Sequence, residues 1–301
     1  MIDCVLVIVA YQSAGEIREL LESVPDAAGA LSWSAVVVNN SPSDDLGAVV
    51  EPYPEVTVVT PGENLGYSGG LNAGVAAAEP SRLIFFLNPD LILHPGALRA
   101  LADAVTGSDG AVSAAVPTIL DQRGGLRHSL RREPSLPGAL GEALFGNHWA
   151  NRPPALTEIV RDAASYRSPH PVEWATGAAM MVRRDMVSAV GEWDSSRFFL
   201  YSEETDYCNR IREQGGQIWF TPGAQVRHRE AGSGSSPALD ALLEVNKVRY
   251  YRKWHAALPA VAFALVTILR NALRAHRPSS RAALIALLSR RARSALPGGA
   301  R

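Results

Sequence analysis

Three carboxylates fall within four positions, at Glu203, Glu204 and Asp206, directly behind the aromatic run Phe198-Phe199-Leu200-Tyr201. Charge of one sign is costly to crowd together unless it binds metal, is paired or is used. A carboxylate here suits a general base toward a hydroxyl group; an acid-rich helix start is the plainer alternative. A second cluster, Asn88-Pro89-Asp90, follows the apolar run 83–87. A carboxylate leaving a strand end beside another oxygen ligand suits a hard divalent cation shared with a diphosphate, although the tripeptide alone is also a common turn. The third is Asn64-Leu65-Gly66-Tyr67-Ser68-Gly69-Gly70-Leu71-Asn72-Ala73-Gly74. Its glycines permit close approach of a ligand to backbone, and a helix start there favours phosphate. The spacing from Gly66 is not G-x-G-x-x-G and the segment does not follow the first strand, so a dinucleotide-binding dehydrogenase fits poorly. His228 closes the short strand signal 218–220; a lone histidine is more often structural than a ligand.

Positioning these groups requires strand ends. Residues 4–10 form a continuous apolar run, as a strand buried on both faces does. Ser13 and Glu16 have the spacing of a capping box, and Ile17, Leu20, Leu21 and Val24 give the helix after it an apolar face. Strand signals recur at 35–38, 56–59 and 83–87, alternating with helix signals. The pattern predicts an α/β fold with a Rossmann-like, mostly parallel sheet flanked by helices. Ligands gather at the carboxyl ends of such strands, where the polar clusters 10–13, 39–45 and 88–90 stand. Residues 121–171, rich in Pro, Gly and Arg, read as a long irregular excursion of the lid or substrate-loop kind.

Hydrophobic residues make up 47% and charged residues 20% of the 301, which suits a chain with a substantial core. Cys4 and Cys208 lie far apart and outside any CxxC pair, implying a reducing, cytoplasmic compartment. No basic segment precedes the first apolar run, so no signal peptide is read. The net charge of −1 conceals an asymmetry: residues 245–301 hold twelve Lys or Arg and no acid, leaving 17 basic against 30 acidic residues elsewhere, a balance of −13. The uncharged stretch 256–269 is too short to span a bilayer, which needs roughly 20 residues. With Arg270, Arg274, Arg277 and Arg281 after it, it reads as a basic amphipathic helical tail lying on an anionic membrane surface. The alternative is a helix packed on the body with a solvated basic face.

In this order, VLVIVAYQS, VVVNNSPSDD, ENLGYSGGLNAG, FFLNPD, VEWATGAAMMVRRD, VGEWDSSRFFLYSEETDYCNRI and VRH resemble the family 2 inverting glycosyltransferases, and within them the bacterial rhamnosyltransferase-like branch. The matching run covers roughly residues 3 to 230. The resemblance implies a GT-A fold over 1–240, with a nucleotide-sugar-binding half to about 115 and an acceptor half from about 116, and a tail over 241–301. It also implies a nucleotide-diphosphate sugar donor, dTDP-rhamnose for this branch, in cell-wall or surface polysaccharide synthesis. Ala10 and Tyr11 would lie beside the nucleoside, with Asn39 on base or ribose. Asn64, Gly66, Gly70, Asn72 and Asn88 would line the donor pocket. Trp174, Thr176 and Gly177 would form the acceptor wall. Asp90 would bind Mg2+ or Mn2+, with His228 joining that site, and Glu204 takes the place of the catalytic base. The segment 129–136 resembles a loop of transferases acting on polyprenyl-linked intermediates, which implies a glycan or polyprenyl-diphosphate acceptor and a peripheral place on the inner face of the plasma membrane.

Asn39, Asn88 and Glu204 each stand where the family commonly has Asp. Glu204 is one methylene longer, which leaves Glu203 and Asp206 open as alternative bases. The same departures suit a catalytically impaired homologue that binds nucleotide sugar or a partner. Nucleic acid is disfavoured, since the tail has few aromatics after Trp254 for base stacking. Homo-oligomerisation is left open.

Overall fold

The computed structural model describes residues 1–41, 43–107, 110–146, 148–229 and 236–299; Pro42 and Arg301 lie outside them. The chain runs β1 (Ile2–Ala10), α1 (Ala14–Ala28), β2 (Trp33–Asn39), α2 (Gly47–Val50), β3 (Val56–Val59), α3 (Gly66–Ala77), β4 (Ser81–Leu87), β5 (Leu91–Leu93), α4 (Ala97–Thr106) and β6 (Val112–Leu120). Then come β7 (Leu130–Arg131), α5 (Leu136–Leu144), β8 (His170–Val172), β9 (Trp174–Ala175), β10 (Ala179–Arg183), α6 (Arg184–Val190), α7 (Glu203–Glu213) and β11 (Gln217–His228). Four helices close it: α8 (Pro237–Trp254), α9 (Ala257–Ala272), α10 (Pro278–Leu288) and α11 (Arg290–Ser294).

The main sheet has the order β3-β2-β1-β4-β10-β6-β11-β5, with β8 beside β11. From β3 to β4 every pairing is parallel, as the alternating strand and helix signals predict. Beyond β4 the sheet is mixed: β10 is antiparallel to both β4 and β6, while β6 and β11 are parallel. The β1 side chains show why that strand reads as unbroken apolar sequence. Cys4, Leu6 and Ile8 enter one core with α1 and α4, while Val5, Val7 and Val9 enter the other with Leu71 of α3. Both cysteines are buried and free.

Two local expectations need correction. Ser13 stands at the N-cap of α1 but makes no capping bond; its hydroxyl accepts from the Tyr11 N–H at 3.1 Å, so no capping box forms. The 121–171 excursion is also more ordered than its composition suggests. It holds β7, β8 and α5, the last capped by Ser135, whose Oγ accepts from Gly138 N–H at 3.2 Å.

The C-terminal helices are packed on the body. The Glu244 carboxylate of α8 accepts from Arg270 at 2.6 Å and from Asn271 at 2.9 Å, both on α9. Arg274 donates to the carbonyls of Ala143 and Glu142 at the end of α5. Arg270 and Arg274 are therefore committed inside the protein, contrary to the lipid-facing role the sequence pattern suggests. Among the described residues no helix is long and apolar enough to cross a membrane.

Candidate active site

The strand ends converge as expected. Asp90 follows β4, and the antiparallel register of β5 with β11 sets His228 opposite Leu91. The His228 Nε2 therefore lies 3.1 Å from the Asp90 carboxylate, which is only 5% exposed. β11 runs well beyond the 218–220 strand signal, and its length depends on an irregularity between Thr221 and Gln225 that absorbs Pro222, Gly223 and Ala224. A carboxylate and an imidazole at this distance fit two ligands of a divalent cation, with the remaining positions left to diphosphate and water. No group of three or more His, Cys, Asp or Glu side chains arranged for metal exists among the described residues. Asn88 sits half-buried two residues before Asp90, its backbone N–H donating to Ala178 O at 2.8 Å.

Glu203 and Glu204 open α7, and the two residues before them, Tyr201 and Ser202, both hold left-handed backbone, with φ of 71° and 68°. Such conformations cost about 1–3 kcal/mol each and persist only where surrounding structure enforces them. Here the enforcing group is Asn246 of α8, which is fully buried and donates to Leu200 O at 2.9 Å and Tyr201 O at 3.2 Å. Ser68 and the Tyr67 N–H likewise bind the carbonyls of Phe198 and Phe199, at 2.6 and 2.7 Å. The turn is thus tied down on both sides.

The two glutamates differ in access. Glu203 is 4% exposed, and burial together with the charge of Glu204 pushes its carboxyl well above the ordinary range. Glu204 is half-buried beside Gly177, and burial raises it too, against the opposing pull of the Gly177 backbone and Arg131. Each has one buried oxygen, Oε2, without a hydrogen-bond partner. Asp206 is a different case. It is fully buried, and its carboxylate takes Arg210 at 3.0 Å, Trp254 at 2.9 Å and Lys253 at 2.7 Å. With both oxygens so occupied, Asp206 anchors α8 to α7 and is not a free base, which corrects the expectation that it could act as one.

The donor-side expectations divide. Tyr11 is 44% exposed at the end of β1, whereas Ala10 is fully buried beneath it. Asn39 is buried and spends its amide on the 39–45 loop, donating to Asp44 O at 2.8 Å and accepting from Ser41 N–H at 3.1 Å. Asn64 forms a local turn, accepting from Gly66 N–H at 2.9 Å. Gly66, with φ of 75°, leaves room for Phe199, and a Cβ on Gly70 would lie 2.8 Å from Val9. The missing side chains of Gly66 and Gly70 thus admit protein rather than ligand. Asn72 also faces inward, bridging to the Trp193 backbone through both ends of its amide, at 2.8 and 2.9 Å. Gly66, Gly70 and Asn72 brace α3 against the sheet and the 193–199 segment, which corrects their reading as pocket lining.

On the acceptor side, Trp174 is 6% exposed and donates its indole N–H to Arg132 O at 2.8 Å, while Arg131 lies over its ring at 6.0 Å. Thr176 and Gly177 are half-buried and lead from Trp174 to Glu204. Sequence reasoning missed Tyr67, whose hydroxyl donates to Gly177 O at 3.1 Å. Burial, with the charges of Glu203, Glu204 and Asp90, holds its phenol well above the usual range. Its position inside a glycine-rich segment disguised it as packing. Asn246 was missed because it lies beyond every motif.

Comparison with known proteins follows the same lines. A family model described as glycosyl transferase family 2 matches residues 5–186. An N-acetylglucosaminyl-diphospho-decaprenol L-rhamnosyltransferase of Mycobacterium tuberculosis is 31% identical over 245 residues, covering 77% of this chain and 78% of the relative. Rhamnosyltransferase WbbL of Escherichia coli is 26% identical over 232 residues, covering 74% and 82%. The crystal structure of GalNAc-T7 with UDP, GalNAc and Mn2+ superposes with a TM-score of 0.61 at 16% identity, over 89% of this chain. This chain spans about half of that one, at 51%, and the likeness is one of fold.

Proposed function

The chain belongs to glycosyl transferase family 2, and from that premise we propose that it transfers L-rhamnose from dTDP-rhamnose, with inversion, to a polyprenyl-diphosphate-linked N-acetylglucosamine acceptor. The names of the relatives in Mycobacterium tuberculosis and Escherichia coli motivate the sugar, and the first motivates the acceptor. The observation that carries the chemistry is Glu204: a half-buried residue whose carboxyl is raised by burial, at a braced helix start, and whose charge bears with that of Asp90 on the same Tyr67 phenol.

Glu204 takes the proton of the acceptor hydroxyl as its oxygen bonds to the anomeric carbon. The bond from that carbon to the diphosphate oxygen breaks on the opposite face, and its electron pair leaves with the nucleotide diphosphate. A carboxylate raised toward neutrality is the better proton acceptor at physiological pH. Glu203, more deeply buried, stays uncharged and lets Glu204 carry the single negative charge of the pair. Asp90 and His228 would hold Mg2+ or Mn2+, which when bound would neutralise charge on the departing diphosphate. Tyr67 fixes the Gly177 carbonyl that borders the base, and Tyr11 offers an exposed ring to the nucleoside.

The catalytic unit in this reading runs through α8, beyond the boundary at 240 that the sequence suggests, because Asn246, Lys253 and Trp254 support α7. The protein works peripherally, at the membrane face where soluble donor meets lipid-linked acceptor. A thermal-shift screen of nucleotide-diphosphate sugars with and without Mn2+ tests the donor. The expected result is stabilisation by dTDP-rhamnose that depends on Mn2+ and on Asp90; equal or greater stabilisation by UDP-sugars would refute it.

A further inference from the structure

Helix α9 is apolar on both of its sides. Ala260, Phe263, Ala264, Thr267 and Asn271 form its buried face, with Phe263 stacked on Tyr251 of α8 at 4.0 Å. Leu258, Val261, Leu265 and Leu269 follow one another at spacings of three and four residues, which sets them on the opposite face. That face is open: Leu258 is 81% exposed and Leu265 60%. A surface helix ordinarily turns charge to water, and one that is apolar all round is ordinarily enclosed. Beside it, α5 exposes Leu140 and Leu144, spaced as one stripe, and Trp149 follows. Thirteen large hydrophobic residues are exposed among the described ones, and ten lie on α5, α9 and α10 or just after them. So concentrated a patch marks an interaction surface rather than the usual scatter.

We propose that α5 and α9 together form a docking face that inserts shallowly into an anionic lipid bilayer. This rests on the lipid-linked acceptor of the proposed function and names the surface that reaches it. Charge identifies the occupant. Residues 245–301 contain no acid, and Arg277, Arg281, Arg290 and Arg291 are exposed and make no ion pair among the described residues. A second copy seated on this face would bring those cations against their own kind, whereas anionic headgroups complement them. At 16 residues α9 is about 24 Å long, short of the roughly 30 Å hydrocarbon core, and its two faces differ in environment, so it lies in the interface. The face differs from the one sequence suggests: Arg270 and Arg274 pin α9 to α8 and α5, the exposed leucines provide insertion, and α5, which lies outside the basic tail, contributes to it.

The test uses the full-length protein and sedimentation with vesicles of phosphatidylcholine alone or mixed with phosphatidylglycerol. Wild type is expected to bind the anionic vesicles and to release as salt rises. Leu144→Glu and Leu265→Glu, at exposed positions that leave the fold intact, are each expected to raise the lipid needed for half-binding by about tenfold or more. Arg277→Glu with Arg281→Glu should weaken binding to anionic vesicles alone. Binding of both leucine variants at wild-type strength would overturn the proposal. So would a wild-type dimer in sedimentation equilibrium that the same variants convert to monomer. Rhamnosyl transfer to a short-chain, water-soluble diphosphate acceptor is measured in parallel. The leucine variants should keep it while losing transfer to acceptor in vesicles; vesicle binding without transfer to any acceptor would defeat the proposed activity and leave the docking face standing.

Discussion

Replacing Asn246 with alanine removes, besides the acceptor for Arg249 at 3.0 Å, the two hydrogen bonds of 2.9 and 3.2 Å that hold the carbonyls of Leu200 and Tyr201. Each such bond is worth about 0.5–1.5 kcal/mol net, so the direct loss is about 1–3 kcal/mol. The turn it secures holds two non-glycine residues at positive φ, an opposing cost of about 2–6 kcal/mol in all. The anchor and the strain are comparable, so its removal lets the turn relax and carries Glu203 and Glu204 with it. A displacement of about 1 Å at a catalytic group can cost roughly a hundredfold in rate. Steady-state assays should show kcat reduced by about ten- to a hundredfold with little change in donor KM, and thermal unfolding should move down by several degrees. Adding Ser202→Gly, which relieves one positive φ, should restore Tm without restoring kcat fully. Asn246→Asp, the same shape without the donors, should behave at least as badly as alanine. If Asn246→Ala kept kcat within twofold while still losing stability, α8 would be a structural brace only and the link to the base would be refuted.

Glu203→Gln is expected to stabilise the protein at pH 7 to 8. The folded carboxyl is raised, so its contribution to stability is present below the unfolded value of about 4.3 and is lost as pH rises through the folded one. Gln cannot ionise, so the gain in Tm should vanish near pH 4; a gain independent of pH would contradict the sign. The acid limb of kcat against pH should fall above the ordinary carboxylate range, because the raised Glu204 must be ionised to act, and Glu204→Gln should abolish that limb together with activity. Asp206→Ala should cost about 2–6 kcal/mol in urea unfolding, because Arg210 Nε and the Trp254 indole N–H lose their acceptor while Lys253 keeps its pair with Asp194. A loss below about 1 kcal/mol would mean the network is not structural.

The parallel half of the sheet was legible because β1, β2 and β4 are buried on both faces and so are written as unbroken apolar runs. Asp90 and Glu204 were legible because polar clusters directly follow apolar or aromatic runs. The antiparallel insertion of β10 was not, since pairing direction leaves no mark in five residues. The Asn64–Gly74 segment misled for a physical reason: glycine that admits a ligand and glycine that admits Val9 or Phe199 look the same in sequence. Asn72 and Asp206 carried chemistry-bearing groups whose partners, Trp193 and Trp254, lie far along the chain. The tail is apolar and basic in sequence, but which of its arginines are spent internally depends on α5 and Glu244, which only the fold brings near.

The central claim is that Glu204 is the base of a rhamnosyl transfer supported by Asp90. It is tested most directly by incubating the purified protein with dTDP-rhamnose, Mn2+ and N-acetylglucosaminyl-diphospho-polyprenol, and reading product and its anomeric configuration by NMR. The expected result is an inverted rhamnosyl linkage from wild type, with Glu204→Gln and Asp90→Ala both reduced by at least about a hundredfold while Glu203→Gln retains measurable transfer. Full transfer by Glu204→Gln, or a product of retained configuration, would contradict it.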